Sequence, residues 1–180
     1  AIDHVSVEDG QLRYHVIGET EALGICGSGL LDAAACLLRT GVMDESGRIG
    51  KTWHFTPKVG VSQKDIRELQ LAKAAIAAGI RLLCRHYGAS FSDIREVQLA
   101  GSFGTDMDPE SACAVGLFPA ELKQKIRPVG NAAGEGAQMA ALSVETYEAC
   151  SRLAEETEFL ELAGDRAFSD IFMEELLFPV

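Results

Sequence analysis

Gly24-Ile25-Cys26-Gly27-Ser28-Gly29 runs without interruption into Leu30-Leu31-Asp32-Ala33-Ala34-Ala35-Cys36-Leu37-Leu38, a glycine-rich loop opening a run of strong helix formers that stops near Gly41. Glycine at such a handover permits positive φ and brings backbone N–H groups close to a ligand with no Cβ in the way. The helix that follows offers unpaired donors and a partial positive charge to phosphate or ribose oxygens. Two further loops of this kind occur downstream. The strand-like residues 94–100 end in Gly101-Ser102-Phe103-Gly104, and residues 126–129 lead into Gly130-Asn131-Ala132-Ala133-Gly134-Glu135-Gly136-Ala137, which turns into a helix reaching about Glu156. Strands alternating with helices predict a layered α/β domain with a partly parallel sheet, whose ligands sit at the carboxyl ends of strands.

Outward from these loops the pattern fills in. Residues 2–8 and 11–17 alternate apolar and polar around Asp9-Gly10, which predicts an antiparallel hairpin. Residues 48–61 are short, mixed and interrupted by Pro57, which suits an exposed hairpin or loop. From Ser62, a plausible N-cap, Ile66, Leu69, Ala72, Ile76, Ile80 and Leu83 recur at steps of three and four, predicting one apolar stripe along a helix that ends at Gly88. Asp108-Pro109 predicts a short capped helix, residues 157–162 a last strand, and 168–177 a last helix.

The 180 residues carry 16 Lys and Arg against 27 Asp and Glu, a net charge of −11, with 47% hydrophobic residues. So acidic a surface repels phosphate backbones and anionic headgroups, and no run of three basic residues offsets it, so neither nucleic acid nor a membrane surface is an expected partner. The longest apolar candidate, 71–83, is interrupted by Lys73 and Arg81, which predicts a soluble chain. Its start has neither a basic nor an apolar targeting region and no initiator Met, and reads as a piece of a longer chain. The 5 cysteines are odd in number and widely spaced, without Cys-x-x-Cys or a Cys/His cluster. A reducing, cytoplasmic compartment is expected, with no structural zinc and no iron–sulfur cluster held by this chain.

The usual phosphate fingerprints are missing: Asp32 stands where Gly-x-Gly-x-x-Gly needs its third glycine, and no P-loop occurs. Several residues have plain readings. Cys26 adjoins a helix start, where a thiol can become a nucleophile, but small buried packing is the favoured role, as it is for Cys36, Cys84, Cys113 and Cys150. Asp108 is expected to cap its helix and Asp106 to face solvent. Lys64, Arg67 and Lys73 can pair along their helix with Asp65 and Glu68, and the acidic cluster Glu155, Glu156, Glu158 and Glu161 reads as a solvated face.

The order of motifs resembles the second half of the acetate and sugar kinase, heat-shock chaperone and actin superfamily, abbreviated ASKHA. More closely, residues 24–33, the segment Ser62-Gln63-Lys64-Asp65-Ile66-Arg67-Glu68-Leu69-Gln70-Leu71-Ala72-Lys73, and the segments 108–111 and 129–137 resemble the C-terminal domain of the reductive activators of corrinoid proteins, over essentially the whole chain. The resemblance implies a ribonuclease-H-like lobe with a mixed sheet flanked by helices, forming a single domain of a longer redox protein. An upstream phosphate-binding lobe with Asp-x-Gly-Thr motifs and a ferredoxin-like iron–sulfur domain are expected before Ala1. It further implies that ATP, with Mg, helps drive reduction of a partner corrinoid protein from Co(II) to Co(I), and that this piece alone is inactive.

Carried over by motif, Gly101, Ser102, Phe103 and Gly104 would face the adenosine. Gly27, Ser28 and Gly29 would lie near the ribose or phosphates, and Gln63, Lys64 and Arg67 are further candidates for adenine or ribose contact. Ser102 stands where the superfamily usually has a second glycine. The alternatives are a non-catalytic module for homodimerisation or partner docking, with glycine loops serving only tight packing, and a thiol enzyme built on Cys26.

Overall fold

The computed structural model describes residues 1–8, 11–101, 104, 106–162 and 164–179. The expected turn at Asp9-Gly10 and the motif residues Ser102 and Phe103 lie outside them. Strands β1 (Ile2–Glu8) and β2 (Gln11–Val16) pair antiparallel, with Val5 opposite Tyr14 and Val7 opposite Leu12. A short ladder joins β3 (Trp53–His54) to β4 (Gly60–Val61), with Pro57 in the connection between them. β5 (Val97–Leu99) and β6 (Ile126–Pro128) pair parallel, the mark of an α/β crossover. Both kinds of pairing are present, spread over three two-stranded ladders.

Helix α1 (Gly27–Arg39) packs on β1. Its run of alanines lets the two backbones close up, so Leu31, Ala33, Ala34, Ala35 and Leu37 are fully buried against Ile2 and Val5. Gly29 is needed there: an ideal Cβ on it would lie 2.5 Å from the Ile2 carbonyl oxygen, which accepts the Cys26 N–H at 2.9 Å. Val61, Ile66, Met107, Val115, Leu117 and Ile126 complete the same core.

α2 (Gln63–His86) opens with a capping box: the Ser62 hydroxyl accepts the Asp65 N–H, and the Asp65 carboxylate accepts the Ser62 N–H at 2.8 Å. Hydrogen bonds from the Ser62 side chain, then from its backbone, hold the Asp65 carboxyl below its ordinary value. α3 (Pro109–Ala114) is capped by Asp108, which accepts the N–H groups of Glu110 and Ser111 at 3.2 and 3.0 Å, while Asp106 is exposed. After a 3-10 turn (Ala120–Lys125) and β6 come α4 (Ala132–Leu142), α5 (Val144–Glu156) and α6 (Arg166–Glu174), the last capped by Asp165.

Three expectations need correction. The single helix expected to Glu156 is broken at Ser143, whose φ of −143° is extended and whose hydroxyl accepts the Thr146 N–H, ending α4 and starting α5 in one residue. Residues 157–162 form no strand; they cross back over α2, placing Leu162 against Ala78, Leu82 and Ile171. The buried stripe of α2 is also turned from the expected one. Ile76 and Leu83 are each 42% exposed, and the buried face runs through Ile66, Gln70, Lys73, Ala74, Ala77, Ala78 and Leu82. Small residues win that face because they let α6 dock closely.

Lys73 is fully buried. Its ammonium donates to the Leu177 carbonyl and lies 5.1 Å from the Phe178 ring centre, and Gln70 donates to the Leu176 carbonyl, so the C-terminal segment is tied along α2. Burial, partly offset by the Glu175 carboxylate, lowers the Lys73 amine from 10.5 to about 8. Unfolded, the amine stays protonated to about pH 10.4. Between about pH 8 and pH 10 the unfolded state therefore holds more protons, and this group's contribution to stability rises with pH; below pH 8 the cost of the buried charge is fully present. The stability advantage of wild type over Lys73→Met is expected to grow by about 2 kcal/mol between pH 7 and pH 9.5 in urea titrations. A constant difference would show that the amine stays charged throughout.

Candidate functional site

At the carboxyl ends of the parallel strands two glycine loops meet. The ladder continues past β5 and β6 as Val129 N–H donates to Leu99 O at 2.9 Å, and Gly101 N–H donates to Gly130 O at 2.8 Å. Both glycines sit in the left-handed region, with φ of 86° and 65°. Among the described residues, no heavy atom lies within 4 Å of an ideal Cβ on either. Gly104 is different: a Cβ there would lie 2.8 Å from the Leu99 Cβ, so this glycine lies directly against the end of β5. Asn131 then caps α4, its side-chain oxygen accepting the Gly134 N–H at 3.1 Å. The result is a backbone ledge beside a helix start, with no described side chain against either glycine Cβ position, a shape that admits a flat or anionic group.

The other candidates are placed elsewhere. Gly27 is exposed at the first residue of α1. Ser28 is buried, and its hydroxyl donates to Asp3 O at 2.9 Å and meets the Cys26 sulfur at 3.2 Å. With Gly29 pressed on Ile2, two of these three residues serve the junction between α1 and β1. Gln63 uses both ends of its amide on the neighbouring loop, donating to Gly47 O at 2.7 Å and accepting Ile49 N–H at 3.0 Å. Arg67 donates to Ser46 O at 2.8 Å. These two residues therefore hold residues 44–49 in place, and Lys64 is left exposed.

One polar residue carries a signal that motif reading missed. Asp32, 4% exposed, accepts Val5 N–H at 3.2 Å and meets His4 Nδ1 at 3.3 Å through one oxygen, while the other is buried with no partner among the described residues. A lone carboxylate inside the run Leu30 to Leu38 is the sequence feature that could have flagged it. Among the described residues no three His, Cys, Asp or Glu side chains gather as a metal-binding group. The cysteines range from buried Cys36 and Cys113 through half-buried Cys26 and Cys84 to exposed Cys150, so packing does not account for Cys150. No described helix is long and apolar enough to cross a membrane.

Paired parallel strands ending in a glycine ledge, followed by a capped helix, place the chain among layered α/β domains that bind ligands at the carboxyl ends of their strands. The chain belongs to the family described as the C-terminal domain of RACo, the ASKHA domain, whose family model matches residues 1–180. It is similar to a corrinoid activation enzyme, RamQ, of Eubacterium limosum, at 35% identity over 99% of this chain and 35% of that protein. It is also similar to a [Co(II) methylated amine-specific corrinoid protein] reductase of Methanosarcina barkeri, at 27% identity over 87% of this chain and 29% of that protein. Among solved structures, a reductive activator for corrinoid, iron-sulfur protein superposes with a TM-score of 0.88 and 30% identity, covering 99% of this chain and 32% of that one. The chain thus spans about a third of the length of these relatives.

Proposed function

We propose that this chain is the adenosine-side lobe of an ATP-dependent reductive activator, which supports reduction of the cobalt of a partner corrinoid protein from Co(II) to Co(I). Membership of the family and the activities for which two relatives are named support the reading. The observation that carries it is the junction of Gly101 and Gly130, two left-handed glycines joined by a hydrogen bond, with no described heavy atom within 4 Å of an ideal Cβ on either. In this reading their backbone lies under the adenine and ribose, Gly104 fixes the turn, and the start of α4 faces the more polar end of the nucleotide. ATP would arrive with Mg held through its phosphates. Nucleotide-dependent closure against a second lobe would then bias the partner-binding state.

Titrating Mg-ATP, ADP and adenosine into the chain by calorimetry tests this, with Gly101→Val as the variant. Even a millimolar dissociation constant corresponds to about −4 kcal/mol and is measurable. All three ligands are expected to bind, and the valine, strained at φ 86° and projecting over the ledge, is expected to weaken each at least about tenfold. Equal affinity in the variant would remove the adenosine assignment.

A docking role has one observation in its favour. α4 and α5 bury no residue and expose Leu142, Val144, Tyr147 and Leu153, so this hairpin presents an apolar surface. Retained nucleotide binding with corrinoid-protein association lost in Leu142→Glu/Tyr147→Glu would assign that role to the hairpin.

A further inference from the structure

We infer that a cavity of about 720 Å³ between α2 and α6 is a binding site for a small organic anion, one carrying a phosphate or carboxylate on an apolar body. The inference does not rest on the nucleotide reading. The cavity is walled by the last turns of α2, by residues 89–91 and by α6. Its volume lies in the range of small-molecule sites. Phe91, Ala167 and Ile171 supply apolar surface, and three arginines reach it, Arg81 and Arg85 from α2 and Arg166 from the facing helix.

The three arginines are not equivalent. Arg81 is committed, donating to Glu175 at 2.8 Å and to Glu174 at 3.1 Å. Arg85 and Arg166 have no carboxylate partner among the described residues, although Asp170 lines the same space. Arg81 is more than balanced by Glu174 and Glu175, so the charges in the lining left to a ligand are Arg85 and Arg166 against Asp170, in a chain whose net charge is −11. Guanidinium groups that reach one cleft from two facing helices can pair with a phosphate or carboxylate through charge-assisted hydrogen bonds. A bare inorganic anion would leave the Phe91 and Ile171 surface uncovered, which is why the ligand class includes an apolar body.

The place of the cavity shows what such a ligand would do. Residues 89–91 lead toward the amino end of β5, whereas Gly101 follows its carboxyl end, about 10 Å of strand away. A ligand bridging α2 and α6 would hold down the helix whose continuation carries Leu176, Leu177 and Phe178 onto Gln70 and Lys73. The ligand would thereby stabilise the C-terminal clasp by mass action.

Phenyl phosphate is a suitable probe, with inorganic phosphate and benzyl alcohol as controls, followed by amide chemical shifts of the 180-residue chain. Phenyl phosphate is expected to shift amides in residues 84–91 and 166–171, with inorganic phosphate at least about tenfold weaker. Arg85→Gln/Arg166→Gln, which alters two exposed side chains, is expected to weaken phenyl phosphate at least about tenfold while leaving the melting temperature without ligand unchanged. Shifts centred on Gly101 and Gly130, shifts scattered over the surface, affinity unchanged in the double variant, or benzyl alcohol binding as tightly as phenyl phosphate would each overturn the assignment. Inorganic phosphate binding as tightly as phenyl phosphate would overturn it too, by reducing the cavity to a surface anion site.

Discussion

Gly29→Val is expected to cost roughly 3–4 kcal/mol of stability in urea denaturation, because overpacking a close backbone contact is added to the loss of a buried hydrogen bond. The Cβ would sit 2.5 Å from Ile2 O and 3.0 Å from Ile2 C, and this neighbour is backbone that cannot swing away. Moving Ile2 breaks its carbonyl's bond to Cys26 N–H and disturbs a side chain that is 0% exposed at the centre of the core. Gly24→Ala is the matched control. Among the described residues nothing lies within 4 Å of a Cβ at Gly24, so it should stay within about 0.5 kcal/mol of wild type. If Gly29→Ala were equally harmless, the close approach of α1 to β1 would be wrong.

Phe178→Ala is expected to be as severe, about 3–5 kcal/mol, the usual range for removing a buried aromatic ring. Phe178 is 2% exposed, its N–H donates to Glu45 O at 2.8 Å, and its ring borders Gly47 and Lys73. Phe178→Leu should recover more than half of the loss by refilling the space. Equal losses in both variants would show that the ring's interaction with the Lys73 ammonium, rather than its volume, holds the C-terminal segment.

These two sites differ in how far the sequence announces them. Gly29 lies in a loop whose composition marks a turn into a helix, so its place was legible even though its contact with Ile2 was not. The caps at Ser62 and Asp108 were legible for the same reason, since a cap is a local device whose partner lies two or three residues away. The face of α2 was not. Periodicity weighs Ile76 and Leu83 above Ala74 and Ala77, but close docking rewards small residues and exposes the large ones. Lys73 reads as a surface charge, and its burial depends on a carbonyl 104 residues away, which no local pattern encodes. Ser143 was hidden by the strong helix formers around it. At the candidate site, the glycines themselves were legible, whereas the pairing of Gly101 with Gly130 required the parallel register of β5 and β6. Gln63 and Arg67 show the converse: polar residues on a family motif whose hydrogen-bonding capacity goes to a neighbouring loop.

The hairpin of α4 and α5 packs chiefly on itself and buries no residue, while α1 buries nine. Regions with so little buried surface open at free energies far below that of the whole molecule, and they open as units. In this chain, then, the folded state is expected to open in two steps rather than one. Amide protons of α1 are expected to report global unfolding and those of α4 and α5 a separate, cheaper opening, so that a single transition temperature would average two events. Whatever covers the hairpin would merge the two into one, so its binding can be read as a gain in cooperativity before any contact is mapped.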